Sequence, residues 1–347
     1  MSAPPSSALW GKSWGLRRLA DRHGMFSMVA VDQRPPIVQL IAKARGIPAH
    51  DVGFADIARV KRLLVQGLAE HASALLVDPN FAYPTCIDLL RPDRGLVLTL
   101  EDHRFQDSAQ GRLSASIADW SVEKIRHIGG DAVKVLAWYR PDAAPAVIAH
   151  QQAYVQQVGD ACARAGLPFI LELLVYPLQP ADQGADTYVE DPTKRPALVI
   201  DSVRAFADAR FGVDLFKLES PIPMHELTDP DHADARRLQA QFDLLGAACG
   251  DRPWVMLSAG ASMQAFAWTV RFACRAGASG FLAGRSLWSD AAARFPDEEA
   301  MLGALRDVAV QRLHHLQDIV GKEGRAWRHP VDAGHVQAEG DFARSIG

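Results

Sequence analysis

The chain has 347 residues, 48% hydrophobic and 22% charged, and its 37 basic against 41 acidic side chains leave a net charge of −4. That balance offers no electrostatic footprint for nucleic acid or an anionic membrane, and no apolar run approaches the ~20 residues of a membrane span. The leading Met-Ser-Ala-Pro-Pro-Ser-Ser lacks the basic-then-apolar order of a secretory signal, and Cys86, Cys162, Cys249 and Cys274 form no C-x-x-C pair, which suits buried thiols in a reducing cytoplasm.

In chain order, residues 10–23 predict a helix covering the N-terminal end of the fold, ahead of a first apolar run at Met25–Asp32. Ile57, Val60, Leu63, Leu64 and Leu68 then fall on one helical stripe. The second, third and fourth runs are Ala72–Pro79, Gly95–Asp102 and Asp131–Tyr139. Residues 153–165 again have helical spacing, followed by runs at Leu167–Pro177 and Leu215–Pro221. A seventh run, Pro253–Gly260, a helical stretch at 264–276 and an eighth run, Gly277–Trp288, complete the series. Short continuous apolar runs bounded by Gly, Pro or Asp mark strands buried on both faces, and their alternation with helices predicts a parallel sheet. Eight repeats, with no G-x-G-x-x-G after the first, favour a closed (β/α)8 TIM barrel with an extra N-terminal helix over an open dinucleotide-binding sheet. No linker divides the chain, so residues 1–347 read as one barrel domain, with the polar stretch 322–347 as a tail or flap.

Active sites of such barrels lie at the C-terminal ends of the strands, where a charge inside an apolar run is informative because burying it unpaired is costly. The runs carry Asp32, Glu101, Asp102, Lys134, Glu172, Lys217 and Glu219. Strand alternation puts Lys217 and Glu219 on one face, with Leu218 opposite. Two lysines and at least two carboxylates in one barrel mouth suit attack of an amine on a ketone. That attack needs a neutral lysine, and desolvation or a second cation lowers its pKa; Lys134 can be that cation for Lys217, or the reverse. Glu172 and Asp32 then supply the acid and base steps, dehydrating a carbinolamine and moving the proton of a substrate hydroxyl. The alternative is a structural ion-pair network across the barrel top, which also perturbs pKa values.

The last two runs end in Ser258-Ala259-Gly260 and Ala283-Gly284-Arg285-Ser286. Loops after strands seven and eight often bind phosphate through backbone N–H groups, small residues let the backbone approach, and Arg285 can pair with the anion. None of the 12 histidines falls in a metal-binding spacing inside a strand, so no metal and no cofactor is expected.

Seven stretches in this order resemble the class I tagatose 1,6-bisphosphate aldolases and their sulfofructose-phosphate aldolase relatives. They are FSMVAVDQR (26–34), ALLVDPNFA (74–82), DAVKVLAWYRPD (131–142), FILELLVYP (169–177), DLFKLESP (214–221), LSAG (257–260) and GFLAGRSLW (280–288). The resemblance implies a metal-independent (β/α)8 lyase acting on a small-molecule sugar phosphate. It also implies that Lys217 forms the Schiff base, that Lys134 and Glu172 serve catalysis, and that Asp32 and Gln33 contact substrate. Ser258, Gly260, Gly284 and Arg285 correspond to the C1-phosphate site. The chain departs from the family after the third run, where it reads Thr-Leu-Glu-Asp-His-Arg-Phe (99–105), so Arg34, His103 and Arg104 become candidates for a second anionic group. The expected reaction is cleavage of a ketose 1-phosphate or 1,6-bisphosphate to dihydroxyacetone phosphate and an aldehyde. Alternatives are a sulfofructose-phosphate substrate, a sugar-phosphate isomerase or epimerase using Glu172 or Asp32 as base, and a non-catalytic sensor. Trp288, Leu302 and Leu305 are candidates for a homo-oligomer interface.

Overall fold

The apolar runs become short strands because β-branched and aliphatic residues fit a pleated surface packed on both sides, and the Gly, Pro and Asp residues between them end each one. A computed structural model describes residues 7–108, 110–178, 196–233 and 235–328. Its strands are β1 (Phe26–Ala30), β2 (Ala74–Val77), β3 (Gly95–Thr99), β4 (Gln106–Ser108), β5 (Gly111–Leu113), β6 (Ala132–Trp138), β7 (Phe169–Leu174), β8 (Leu215–Leu218), β9 (Trp254–Met256) and β10 (Gly280–Ala283). The helices of the first half are α1 (Ser7–Leu19), α2 (Pro35–Arg45), α3 (Phe54–Leu68), α4 (Ala82–Cys86), α5 (Val122–His127) and α6 (Pro145–Ala165). Those of the second half are α7 (Pro196–Phe206), α8 (Ala235–Cys249), α9 (Met263–Arg275), α10 (Arg285–Ala292), α11 (Glu298–Ala304) and α12 (Val310–Glu323).

Eight of the strands close into a barrel in the order β1-β10-β9-β8-β7-β6-β3-β2, with every neighbouring pair parallel. This is the (β/α)8 barrel expected. Strand alternation divides the core in two. Phe26, Met28, Ala30, Leu76, Val97, Ala132, Ile170, Leu215, Val255 and Leu282 fill the inside, while Val29, Leu75, Leu98, Val133, Leu171, Phe216, Met256 and Phe281 pack under the helices. One step further along the strands, the inward positions become Asp32, Lys134, Glu172 and Lys217, so a charged layer stands directly on an apolar one.

Helix α1 caps the bottom of the barrel. Its Leu16 and Leu19 join the interior cluster, Lys12 Nζ donates to Asp214 Oδ2 at 2.7 Å, and Arg18 Nε donates to Asp131 Oδ1 at 3.2 Å. The chain after α12 comes back to the same end. Arg325 N donates to the carbonyl of Ala278 and Trp327 N to that of Gly24, both at 2.9 Å, with the Trp327 ring 6.4 Å from that of Phe26. The polar stretch read as a tail or flap therefore begins as the last turn of α12 and a strap beneath the barrel; residues 329–347 lie outside the described part.

Three expectations need correction. The eighth run is a strand only over Gly280–Ala283, because the backbone turns at Gly284 and the apolar residues after it, Leu287 and Trp288, are the buried face of α10. Trp288 and Leu305 are not interface residues. Both are buried in the core, and the Trp288 indole donates to the carbonyl of Ala30 at 3.0 Å. The loop after β3 holds an unexpected antiparallel hairpin, β4–β5. Among the described residues no helix is long and apolar enough to cross a membrane.

Candidate active site

Lys134 is at the centre of the charged layer. Its Nζ lies 3.1 Å from Asp32 Oδ2, 2.8 Å from Glu101 Oε1 and 2.8 Å from Glu172 Oε2, joining β6 to the ends of β1, β3 and β7. Lys217 Nζ donates to the same Glu172 Oε2 at 2.9 Å, across the register pair Glu172–Lys217 of β7 and β8. All five side chains are buried. Burial alone would strip the proton from Lys134, but Asp32, Glu101 and Glu172 outweigh it and hold the ammonium well above the ordinary lysine range. Burial likewise favours neutral Asp32 and Glu172, yet Lys134 and Lys217, with Arg34 also acting on Asp32, keep both carboxyls below their ordinary values. Between the two lysines, Lys134 is thus the locked cation, held by three carboxylates, and Lys217 has a single carboxylate partner.

The β1 end continues into Gln33 and Arg34, and Pro35 and Pro36 start α2 immediately afterwards, which fixes the direction of that turn. Arg34 is 6% exposed. Its Nη2 donates to the Glu101 carbonyl at 3.3 Å, while Nε and Nη1 are buried without a protein partner among the described residues, as is Gln33 Oε1. Beneath this turn a second ion pair is completely buried. Lys61 of α3 donates to Asp78 and, at 2.8 Å, to the carbonyl of Val31, and Asp78 Oδ2 accepts the N–H groups of Asn80 and Phe81.

The β9 and β10 ends form a cradle. Ala259 and Gly260 are both left-handed, with φ of +48° and +83°, a conformation costly for alanine and natural for glycine. Arg285 Nη2 donates to the Ala259 carbonyl at 3.1 Å, and a Cβ on Gly260 would stand 3.2 Å from Arg285 Cζ. A Cβ on Gly284 would meet Gln33 Nε2 at 2.7 Å, so the glycine there makes room for the β1 end. The N-terminus of α10 opens at Gly284–Arg285 on the same side.

A cavity of about 150 Å³ joins these parts. Asp32, Gln33, Arg34, Lys134, Glu172, Lys217, Ser258, Gly284 and Arg285 all line it, and so do Glu101, Asp102 and His103. Gly260 backs Arg285 without lining the cavity. Arg104 is exposed and outside it. Glu219 does not share the mouth with Lys217, because β8 ends at Leu218 and the alternation ends with it; Glu219 Oε1 instead accepts the Val175 N–H at 2.7 Å. The sequence reading assigned no role to Glu101, and it missed Lys61 and the apolar side of the cavity, formed by Phe105, Leu136, Trp138, Leu174 and Leu257. A signal existed for Lys61, which falls in the i, i+4 series Ile57, Lys61, Val65 of a buried helix face. Among the described residues no three His, Cys, Asp or Glu side chains gather as a metal-ligand set.

Residues 26–290 match the family model described as DeoC/LacD family aldolase. The chain is 30% identical over 328 residues to tagatose 1,6-diphosphate aldolase 2 of Enterococcus faecalis, covering 92% of this chain and 97% of the relative. It is 29% identical over 320 residues to tagatose 1,6-diphosphate aldolase of Staphylococcus aureus, with 90% and 96% covered. Similar solved folds include a Schiff base-forming fructose-1,6-bisphosphate aldolase, with a TM-score of 0.54 and 17% identity over 89% of this chain and 99% of that one. The fructose-bisphosphate aldolase of Plasmodium falciparum gives a TM-score of 0.63 at 13% identity, over 94% and 98% of the two chains.

Proposed function

Because this chain belongs to the DeoC/LacD family of aldolases, we propose that it is a class I enzyme cleaving a ketose 1-phosphate or 1,6-bisphosphate of the tagatose 1,6-bisphosphate type, with Lys217 as its Schiff-base lysine. The observation that carries this reading is the pair of lysines on one oxygen, Glu172 Oε2. Glu172 takes the ammonium proton of Lys217, and the freed amine attacks the C2 ketone. The same carboxyl passes the proton from nitrogen to the new alkoxide and then protonates the departing hydroxyl, so that water leaves and a protonated imine remains. Lys134 stays charged throughout. Asp32, held as an anion by Lys134, accepts the proton of the C4 hydroxyl while the C3–C4 electron pair flows into the imine, releasing the aldehyde. Asp32 then gives that proton to C3 of the enamine, and hydrolysis of the resulting imine returns dihydroxyacetone phosphate and free Lys217.

Ser258, Gly284 and Arg285 hold the C1 phosphate in this scheme, with Gly260 packed behind Arg285, and backbone N–H groups at the start of α10 and the guanidinium supply the donors. The two unpartnered nitrogens of Arg34, with Gln33 beside it, are the donors available to a second anionic or hydroxyl group of the substrate.

The test is to incubate the protein with dihydroxyacetone phosphate in EDTA, reduce with borohydride and locate the adduct by peptide mass spectrometry. A stable adduct on Lys217, absent in Lys217→Met together with cleavage activity, is the expected result. Ligand binding by thermal shift without any adduct would overturn the Schiff base. Comparing tagatose, fructose and sulfofructose phosphates then identifies the substrate.

A further inference from the structure

The apolar side of the cavity is a constructed wall. Phe105 and Trp138 line it with ring centroids 5.2 Å apart, and Tyr176 stands edge-on behind Trp138 at 6.2 Å. The guanidinium of Arg112, from β5 of the hairpin, sits against all three rings, with its carbon 4.3 Å from the Phe105 centroid, 4.5 Å from Trp138 and 4.9 Å from Tyr176. Arg112 is not among the lining residues; it is behind the wall. The hairpin is fastened there by Arg112 N donating to the Tyr176 hydroxyl at 2.9 Å and by Gln151 Nε2 donating to Ser114 Oγ at 3.1 Å. Cation–π attraction strengthens when the cation is desolvated, so a guanidinium shared by three rings fixes their planes.

Barrel order decides what meets this wall. In the sequence β10-β9-β8-β7-β6, the Arg285 cradle and Trp138 stand on opposite sides of the mouth, and Lys217 lies midway. A ligand with its phosphate in the cradle and its carbonyl carbon on Lys217 therefore runs its remaining carbons towards β6. Trp138 shares the inward face of β6 with Lys134 and lies four residues further out, a rise of about 13 Å. That part of the wall meets the end of a chain and not its reacting carbon.

We infer that Phe105 and Trp138 are the specificity-determining surface for the aldehyde half of the substrate, stacking on the C–H face of a hydroxylated chain of three or more carbons, and that Arg112 is the positioning residue that holds them. This rests on the Schiff-base reading above. Aromatic faces suit such a ligand because they bury its C–H groups while leaving its hydroxyls free for the polar side of the cavity.

The test separates the two halves of the reaction. Deuterium exchange at C3 of dihydroxyacetone phosphate needs the imine but no aldehyde. Addition of dihydroxyacetone phosphate to glyceraldehyde 3-phosphate needs the wall, and addition to two-carbon glycolaldehyde does not reach it. Arg112→Ala is expected to keep exchange within about twofold of the parent and to lose about tenfold or more in kcat/KM with glyceraldehyde 3-phosphate, mostly through KM, with less than about threefold lost for glycolaldehyde. Arg112→Lys, which keeps a cation on the rings, should recover part of the loss, and Trp138→Ala should reproduce the preference for the short acceptor. Equal losses for both acceptors, or no loss, would overturn the inference. Absence of exchange in the parent protein would instead remove the Schiff-base reading beneath it.

Discussion

Replacing Lys134 by methionine removes a cation in contact with three buried carboxylates, Asp32, Glu101 and Glu172. Lys217 still reaches Glu172 at 2.9 Å and Arg34 lies 4.0 Å from Glu101, so Asp32 loses its only direct partner among the described residues. Stranding a buried charge in this way costs about 3–5 kcal/mol. With an unfolding entropy of roughly 2.1 cal/mol/K per residue, the whole chain gives about 0.7 kcal/mol/K, so Tm at pH 8 should fall by about 4–7 °C. The pH dependence carries the sign. In the parent protein Asp32 and Glu172 are held below their ordinary values of 3.8 and 4.5, so their contribution is present above those values and is lost as pH falls through the lowered ones. In Lys134→Met the burial that favours the neutral acids is less opposed, so acidification relieves the variant at pH values where the parent's contribution is still intact. Calorimetry between pH 8 and 4.5 should therefore show the Tm gap narrowing, and adding Asp32→Asn to Lys134→Met should recover part of the loss at pH 8. A gap that is absent at pH 8, or one that widens on acidification, would refute the reasoning.

Other outcomes follow from the same geometry. Arg285→Ala removes a charged donor worth about 1.5–3 kcal/mol and should raise KM for phosphorylated ketoses by about 10- to 150-fold; Gly260→Ala, which sets a Cβ 3.2 Å from Arg285 Cζ at φ +83°, should move KM the same way in steady-state assays. Lys61→Met leaves Asp78 buried with its cation gone and should cost about 3–5 kcal/mol in denaturant titrations, part of which Lys61→Met with Asp78→Asn restores. The four cysteines are all buried and burial raises each thiol's pKa, so a disulfide dye should label none in the native protein and four after unfolding.

The barrel and its charged layer were legible in the sequence because each leaves a local mark. Lys134, Glu172 and Lys217 interrupt apolar runs, and an alternation of two residues decides which way they point. The same logic fails where an element ends. Glu219 has the parity of Lys217 but lies past the last paired residue of β8, and Trp288 continues an apolar run although Gly284 has already turned the chain into a helix. The aromatic wall was not legible at all. Phe105, Arg112, Trp138 and Tyr176 come from three segments with no periodic relation, and ring contacts between them follow only from the docking of a hairpin whose turn the sequence marks weakly.

The strap under the barrel bears on how the ring is joined. Seven of its eight seams connect strands that follow one another in the chain, so a loop or helix tethers each pair. The eighth, β1 against β10, unites the first strand with the last. Residues 324–328 cross that seam, Arg325 bonding beside the start of β10 and Trp327 beside the start of β1. The barrel is in this sense a hoop with a clasp, and the clasp is on the far side from Lys217 and Glu172. Amide exchange along Phe26–Val29 would report the clasp opening, and a chain ended at Glu323 should loosen that joint first while the chemistry opposite it is still in place.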